Sequence, residues 1–285
     1  MKKTIILLSA KRSGSTALFK CFQNHSNVQI PHFDQNIDNW EIQFWSLASS
    51  ALRGNIIPFR TRLKLSFPKI NFQLDDNLND NKIFEIWNNI LDECGGTVFD
   101  KSPQYLGNTN AFNLLEKYMS KGNNVKIFSL IRDPRDTITS QYELWKDYSE
   151  NDSLEKREKF WIKQYSHLEE LRKKMNIPLF YYEQIASNPK KYMSQIYKFC
   201  EIDEEINTWK HIKPVSIGRY STSIIINRKK WKFSNKLNAM ILRYNYNTSQ
   251  LNFLQKVNLT FLRIFTDFKR NIPLKLKLKI KNIFK

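Results

Sequence analysis

Two short segments of the chain combine cations, hydroxyls and glycine in a way that suits phosphate binding. The first is residues 11–16, with the sequence KRSGST. Gly14 lets the backbone approach an anion closely, and Arg12 can bridge two charged oxygens with its planar guanidinium. The remaining predicted contacts come from Lys11, Ser13, Ser15 and Thr16. The segment is predicted to be a phosphate loop, and the alternative is a basic helix start that binds no ligand.

The second segment is residues 131–140, with the sequence IRDPRDTITS. Pro134 ends the preceding strand, and Asp136 is predicted to cap the helix that follows. Arg132 then lies in the turn and Ser140 about one turn inside the helix, so both could face one phosphate group. The alternative is a turn held together by ion pairs between its arginines and its aspartates, with no ligand.

Both segments follow apolar runs that predict buried strands. The run at 4–9 shows no alternation of apolar and polar residues, which is typical of a strand buried on both faces of a parallel sheet, and another strand is predicted at 125–130. Two further strands are predicted at 97–99 and 178–182, next to helical patterns. A helix that starts after Asn188 is also predicted. The alternation predicts an α/β fold, a P-loop-like parallel β-sheet flanked by helices on both faces in a single domain.

Charge and cysteine content narrow the class of protein. The 285 residues include 46 Lys and Arg against 27 Asp and Glu, a net charge of +19 that favours anionic partners. The three cysteines form no closely spaced pair, which argues against a disulfide framework and favours the reducing cytoplasm. No window approaches 18 uninterrupted apolar residues, so no transmembrane helix is predicted.

Together the two segments resemble the binding motifs of the sulfotransferases that use 3′-phosphoadenosine-5′-phosphosulfate (PAPS). KRSGST is similar to the family's [KR]SG[TS][TS] loop, which holds the 5′-phosphosulfate. IRDPRDTITSQY is similar to the family's RDPRDxxxSxY segment. The resemblance implies that Arg132 and Ser140 hold the 3′-phosphate. It also implies that PAPS is the co-substrate and 3′-phosphoadenosine-5′-phosphate (PAP) the product.

Two more segments extend the resemblance toward the carboxyl end. FYYEQI at 180–185 is similar to the family's YEDL stretch, which implies that Tyr182 lies near the adenine. SIGRY at 216–220 resembles a segment of many bacterial members, which implies that Gly218 and Arg219 help to close over the cofactor. Cytosolic small-molecule sulfotransferases have a histidine in the region of the base and an aromatic residue after the first loop. This chain has no histidine at 99–105 and has Ala17 after the loop, and both absences favour the bacterial or glycan-type branch of the family.

A third group of candidates lies in DKSPQY at 100–105, which resembles the EKSPxY segment of glycan-type sulfotransferases. The resemblance implies that Asp100 is the base that takes the acceptor's proton and that Lys101 lies near cofactor or acceptor. The alternative for Asp100 is a cap or turn carboxylate. Arg12 is predicted to stabilise the sulfuryl and bridging oxygens during in-line transfer. No metal is predicted, because sulfuryl transfer does not require one and the four histidines show no ligand spacing.

The domain plan follows from the extent of the resemblance. Residues 1–235 are predicted to form the sulfotransferase domain, with an acceptor-binding insertion at about 37–93 that matches no part of the family pattern. Residues 236–285 are predicted to form a basic amphipathic extension. Within it, LKLKLKIK at 274–281 alternates apolar and basic residues and could touch an anionic membrane surface, or pack on the domain as an edge element.

The acceptor is predicted to be a carbohydrate hydroxyl, or an amine, on the basis of the DKSPQY resemblance and the positive charge. Nucleic acid is not predicted as a partner. Three rival functions remain open from the sequence. They are a P-loop-like nucleotide-binding protein or kinase, disfavoured by the absent GxxxxGK[ST] spacing; a polyanion- or nucleic-acid-binding module; and a PAPS-binding relative without activity.

Overall fold

The computed structural model describes residues 2–30, 41–74, 78–145, 152–206, 208–212, 217–223 and 231–246. At its centre lies a four-stranded sheet in the order β2-β1-β3-β4, and every pairing is parallel. The strands are β1 (Lys3–Ser9), β2 (Thr97–Lys101), β3 (Val125–Ile131) and β4 (Leu179–Tyr181). All four strands occur where the sequence predicted them, and the α/β prediction is confirmed.

Ten α-helices are described. They are α1 (Ser15–Gln23), α2 (Phe44–Ala51), α3 (Ile56–Ser66), α4 (Asp80–Glu93), α5 (Thr109–Ser120), α6 (Pro134–Trp145), α7 (Leu154–Met175), α8 (Tyr182–Ser187), α9 (Pro189–Cys200) and α10 (Asn235–Arg243). The helix predicted after Asn188 is α9, whose first turn is capped because the Asn188 side chain accepts a hydrogen bond from the Lys191 amide.

The sheet separates two apolar layers, which explains the unalternating runs in its strands. Ile6 and Leu8 of β1 face the larger layer, together with side chains of α2, α4, α5 and α7. Ile5 and Leu7 face the opposite layer, with side chains of α1 and α9. Because both faces of β1 are covered, apolar residues occupy every position from Ile5 to Leu8.

The region predicted as an insertion is helical where it is described. It forms α2, α3 and α4, and the sequence pattern did not predict α3 and α4. Phe44, Trp45 and Trp87 are fully buried and pack against one another, so this region shares the core of the domain. Aromatic packing of this kind contributes more than its share of buried apolar area.

Near the other end, α10 straddles the predicted start of the extension at residue 236. Leu237, Met240 and Ile241 are buried in the larger layer, so this part of the chain packs on the domain. The basic stretch at 274–281 lies outside the described residues, and its membrane contact stays a prediction. None of the helices in the described ranges combines the length and apolar character needed to cross a lipid bilayer.

Candidate active site

A cleft of about 360 Å³ opens at the carboxyl ends of the central strands, where ligands bind in open parallel sheets. The segments that follow β1 and β3 contribute cations to it, and so does the last residue of β2. The lining residues are Lys11, Arg12, Gly14, Ser15, Thr16, Glu41, Lys101, Pro103, Arg132, Leu144 and Trp145. Seven of these were predicted as site residues from the sequence.

The loop between β1 and α1 bends sharply so that helix α1 points its amino end at the cleft. Arg12 has a φ of 69° and Gly14 a φ of 92°, both in the left-handed region. Ser13 does not line the cleft, because its buried hydroxyl donates to the Ala10 carbonyl at 2.6 Å. The amides at the start of α1 have no side-chain cap, which leaves an anion-binding helix terminus beside the cleft.

Tyr182 packs directly against this loop. A Cβ atom placed on Gly14 would lie 2.1 Å from Cδ2 of the Tyr182 ring, so only glycine allows the contact. The guanidinium carbon of Arg132 lies 5.7 Å from the centre of the same ring. Tyr182 therefore joins the two predicted anion-binding segments.

The two segments also contact each other through hydrogen bonds. Nε of Arg12 donates to Oγ of Ser140 at 3.0 Å, and Nη1 of Arg132 donates to the Arg12 carbonyl at 3.1 Å. The side-chain amide of Gln141 donates a hydrogen bond from Nε2 to the Lys11 carbonyl at 2.8 Å. The structure thus brings together residues that lie more than a hundred positions apart in the sequence.

Asp136 does not cap helix α6, so that prediction is wrong. The side chain of Asp133 takes this role and accepts from the Arg135 amide at 2.9 Å. Asp136 instead lies buried inside the first turn, where it pairs with Arg132 at 3.3 Å. Its carboxylate also accepts from the amides of Gly218 and Tyr220, at 2.6 and 2.8 Å.

The alternative interpretation of this turn was a set of ion pairs between its arginines and its aspartates. These pairs are present, and Arg132 also lines the cleft. Burial acts to lower the pKa of Arg132, but the charges of Asp136 and Glu183 outweigh it and raise that pKa. Arg135 pairs with Asp133 at 2.6 Å and stacks on the Tyr220 ring. Gly218 reaches the site through Asp136, and the side chain of Arg219 lies outside the described part of the structure.

The acceptor side of the cleft differs from the prediction. Asp100 is 1% exposed, is absent from the cleft lining, and accepts a hydrogen bond from the Tyr105 hydroxyl. Lys101 does line the cleft, and its ammonium pairs with the Glu41 carboxylate at 3.0 Å. Glu41 is therefore a second carboxylate at the site, and it is the one that reaches the cleft.

These residues belong to a recognisable family. A sequence model of the sulfotransferase family matches residues 4–205. The chain belongs to the sulfotransferase family. The matched range includes every predicted site residue except Gly218 and Arg219, and the family is one of enzymes that carry out sulfuryl transfer.

Solved structures agree with this assignment at the level of the fold. This sulfotransferase is similar to the sulfotransferase domain from the Synechococcus PCC 7002 olefin synthase, with a TM-score of 0.65 and 15% identity, covering 86% of this chain and 95% of that one. It is also similar to the sulfotransferase domain from the curacin biosynthetic pathway, with a TM-score of 0.56 and 14% identity, covering 87% of this chain and 99% of that one. No curated protein matches the sequence.

Four lining residues of this sulfotransferase were not predicted as site residues, and two of them, Glu41 and Trp145, contact cations of the cleft. Glu41 belongs to no motif, and only the need of buried Lys101 for a counter-charge could have pointed to an acid nearby. Trp145 was missed because it lies beyond the RDPRDxxxSxY segment. The ammonium of Lys11 lies 5.6 Å from the centre of its ring and the guanidinium of Arg157 5.0 Å, so Trp145 positions a cleft cation.

His25 and His167 have structural partners. His25 lies 2.8 Å from the Asp203 carbonyl, and His167 lies 2.9 Å from the Leu106 carbonyl. Among the described residues, no group of three or more His, Cys, Asp or Glu side chains could hold a metal ion. The predicted independence from metals stays a prediction.

Burial raises the pKa of Asp100 to about 7, and the nearby Glu41 adds to the effect, against the Tyr105 hydrogen bond and Lys101. A carboxyl whose pKa is raised by folding contributes its full stabilisation at pH values below its pKa in the unfolded chain. This contribution is lost as the pH rises to its pKa in the folded protein. Between about pH 4 and 7 the stability of the wild type should therefore fall.

Asp100→Asn removes this titration and keeps an oxygen that can accept from Tyr105. We expect the variant to be more stable than the wild type at pH 8, on the order of 1 to 4 kcal/mol, and no more stable at pH 4. Urea unfolding at the two pH values measures the difference. The same change in stability at both would contradict a neutral, buried Asp100.

Proposed function

We propose that this sulfotransferase transfers the sulfuryl group of PAPS to a hydroxyl or amine of an acceptor that enters the cleft at 11–16. The observation that carries the proposal is charge: four of its lining residues are cations, Lys11, Arg12, Lys101 and Arg132, and one is an acid, Glu41. A cleft of about 360 Å³ lined in this way suits a polyanionic nucleotide. PAPS carries its negative charge at the 3′-phosphate and the 5′-phosphosulfate.

The contacts within the site support a division of roles. In our proposal, Arg132 and Ser140 bind the 3′-phosphate, and the backbone of the 11–16 loop binds the 5′-phosphosulfate at the start of α1. Tyr182, packed against Gly14 and Arg132, offers its ring beside the nucleotide. Gly218 is held near this end of the cleft through Asp136, which is consistent with a role in covering the nucleotide.

The reaction is a single in-line displacement. The acceptor oxygen forms a bond to sulfur while the bond from sulfur to the bridging oxygen breaks, and the bonding electrons stay on the 5′-phosphate of PAP. Arg12, Lys11 and Lys101 stabilise the negative charge that develops there. The acceptor's proton passes to a carboxylate, for which Asp100 and Glu41 are the two candidates.

For the acceptor we propose a carbohydrate in the cytoplasm. The DKSPQY resemblance and the positive charge support this class, and the cleft presents the partly exposed Leu144 and Trp145 at its edge. The test is to incubate the chain with radiolabelled PAPS and hydroxylated acceptors in parallel pools of sugars, peptides, lipids and small metabolites. We expect label in the sugar pool. Label in another pool alone would show that the acceptor belongs to that class and is not a carbohydrate.

The cofactor site is tested by thermal unfolding with and without PAP. At about a hundredfold excess of PAP over its Kd, the wild type should gain about 2.7 kcal/mol of stability. Arg132→Ala should show no gain. The matched control is Arg135→Ala, which removes a buried, ion-paired arginine from the same turn but not from the cleft lining, and which should keep the gain.

Absence of a PAP-induced shift in all three proteins would contradict the use of PAPS and favour the polyanion-binding alternative. That alternative predicts instead a steep loss of binding to heparin as the salt concentration rises. Equal shifts in the wild type and Arg132→Ala would show that the protein binds PAP but that Arg132 does not contribute to the binding.

A further inference from the structure

The site holds two carboxylates that could take the acceptor's proton, and only one of them faces the space an acceptor must enter. Glu41 lines the cleft together with the predicted sulfuryl-binding cations Lys11 and Arg12. Asp100 lies one residue before Lys101 on β2, and successive side chains of a strand point to opposite sides. The side chain of Lys101 therefore points to the cleft, while that of Asp100 points away from it.

Asp100 is enclosed in the protein and does not line the cleft. Its carboxyl is 1% exposed, and one oxygen accepts from the buried Tyr105 hydroxyl while the other makes no hydrogen bond. Burial raises the pKa of Asp100 to about 7, so a large share of the carboxyl is protonated near neutral pH. A carboxyl that is enclosed in the protein and turned away from the cleft is poorly placed to accept a proton there.

Glu41, in contrast to Asp100, lines the cleft and is held there by two contacts. Its carboxylate pairs with the ammonium of Lys101 at 3.0 Å, and its carbonyl accepts from Nη1 of Arg62 on α3 at 2.9 Å. The side chain of Lys101 is 1% exposed, so it can hold the carboxylate in one direction. Anchored at both backbone and side chain, Glu41 lines the cleft beside the cations proposed to bind the donor.

We propose that Glu41, and not Asp100, is the general base of the sulfuryl transfer, with Lys101 as the residue that positions it. The inference rests on the proposed function. As the acceptor oxygen bonds to sulfur, its proton moves to a carboxylate oxygen of Glu41, and the released PAP carries away the electrons of the broken sulfur–oxygen bond. The proton then leaves Glu41 for water after the products depart.

The test compares two small acceptors that need a base to different degrees. Phenol keeps its proton at neutral pH, whereas p-nitrophenol is ionised in mildly alkaline buffer and needs no base. With PAPS as donor, the release of PAP is measured for each acceptor at high concentration. Glu41→Gln should lose at least about a hundredfold in rate with phenol and less than about threefold with p-nitrophenol, in line with the contribution of general bases.

Two comparisons separate this role from a structural one. Asp100→Asn should keep the wild-type ratio of the two rates, since Asp100 does not take the proton. Glu85→Gln makes the same substitution at an exposed glutamate that pairs with Lys82 at 3.0 Å, and it should leave both rates unaltered. If Glu41 only held Lys101 in place, Glu41→Gln would slow both acceptors equally, and the inference would be wrong.

The remaining outcomes also decide the matter. A loss of the phenol reaction in Asp100→Asn, with Glu41→Gln active, would restore Asp100 as the base. If the wild type shows a PAP-induced thermal shift but turns over neither phenol, the same variants are compared with the acceptor pool that takes up label, and a Glu41→Gln variant as fast as the wild type there would show that Glu41 is not the base. If the shift is absent as well, the proposed function fails with it.

Discussion

Replacing Asp136 by asparagine is expected to destabilise the protein by about 3 to 5 kcal/mol, because it leaves the charge of Arg132 buried without its counter-charge. Asp136 is fully buried and joins Arg132 to the amides of Gly218 and Tyr220. An asparagine keeps one acceptor oxygen but turns an NH₂ group toward one of these donors. Urea unfolding at neutral pH measures the loss.

The control is Asp92→Asn, which removes the same charge from an exposed pair with Lys2 and should cost less than about 1 kcal/mol. The Asp136 variant should also be cleaved faster by trypsin after Arg219, because the 3₁₀ turn Arg219–Thr222 loses its anchor. A variant as stable as the wild type, with unaltered cleavage, would show that this network contributes little.

The second large effect is expected at Gly14. Gly14→Ala adds a Cβ atom within 2.1 Å of the buried Tyr182 ring, so either the ring or the loop must move. We expect a loss of stability and a loss of at least about tenfold in PAP affinity, since a shifted loop no longer directs its amides at the phosphosulfate. Thermal unfolding and titration with PAP measure the two quantities.

Gly54 offers a matched control because its φ is also 92° and no atom lies within 4 Å of its added Cβ. Gly54→Ala therefore measures the cost of a left-handed alanine alone, about 1 to 2 kcal/mol, with PAP affinity unaltered. Gly14→Ala combined with Tyr182→Ala should lose less stability than the sum of the single variants, since the smaller side chain makes room. Equal effects at the two glycines would show that the Tyr182 contact is not restrictive.

The sheet was predictable because a strand buried on both faces leaves a plain signal in the sequence. The runs at 4–9 and 125–130 each have four apolar residues out of six, and both form central strands. The cations that follow them could be assigned to one site, since parallel strands bring their carboxyl ends to one edge. Helices α3 and α4 were missed because proline and asparagine residues interrupt their pattern and because their burial comes from contacts with distant aromatic residues.

The site was predicted less completely, for reasons that are visible in single residues. The pattern of the turn after β3 suits a cap at either Asp133 or Asp136, and only the amides of Gly218 and Tyr220, over 80 positions away, explain why Asp136 lies inside. Likewise, the segment DKSPQY does not show which of its side chains face the cleft. Glu41 becomes visible as a candidate only once its ion pair with Lys101 is known.

The position of β1 in the sheet also affects how the chain can fold as it is made. β1 lies between β2 and β3, which follow it by roughly 90 and 120 residues. During synthesis the apolar side chains of β1 leave the ribosome long before β2 and β3 are made. Until then β1 is unpaired, and its apolar surface is exposed or bound by a chaperone. Pairings over such distances also make folding slow. We therefore expect the yield of folded protein to depend on the rate of translation and on chaperone supply.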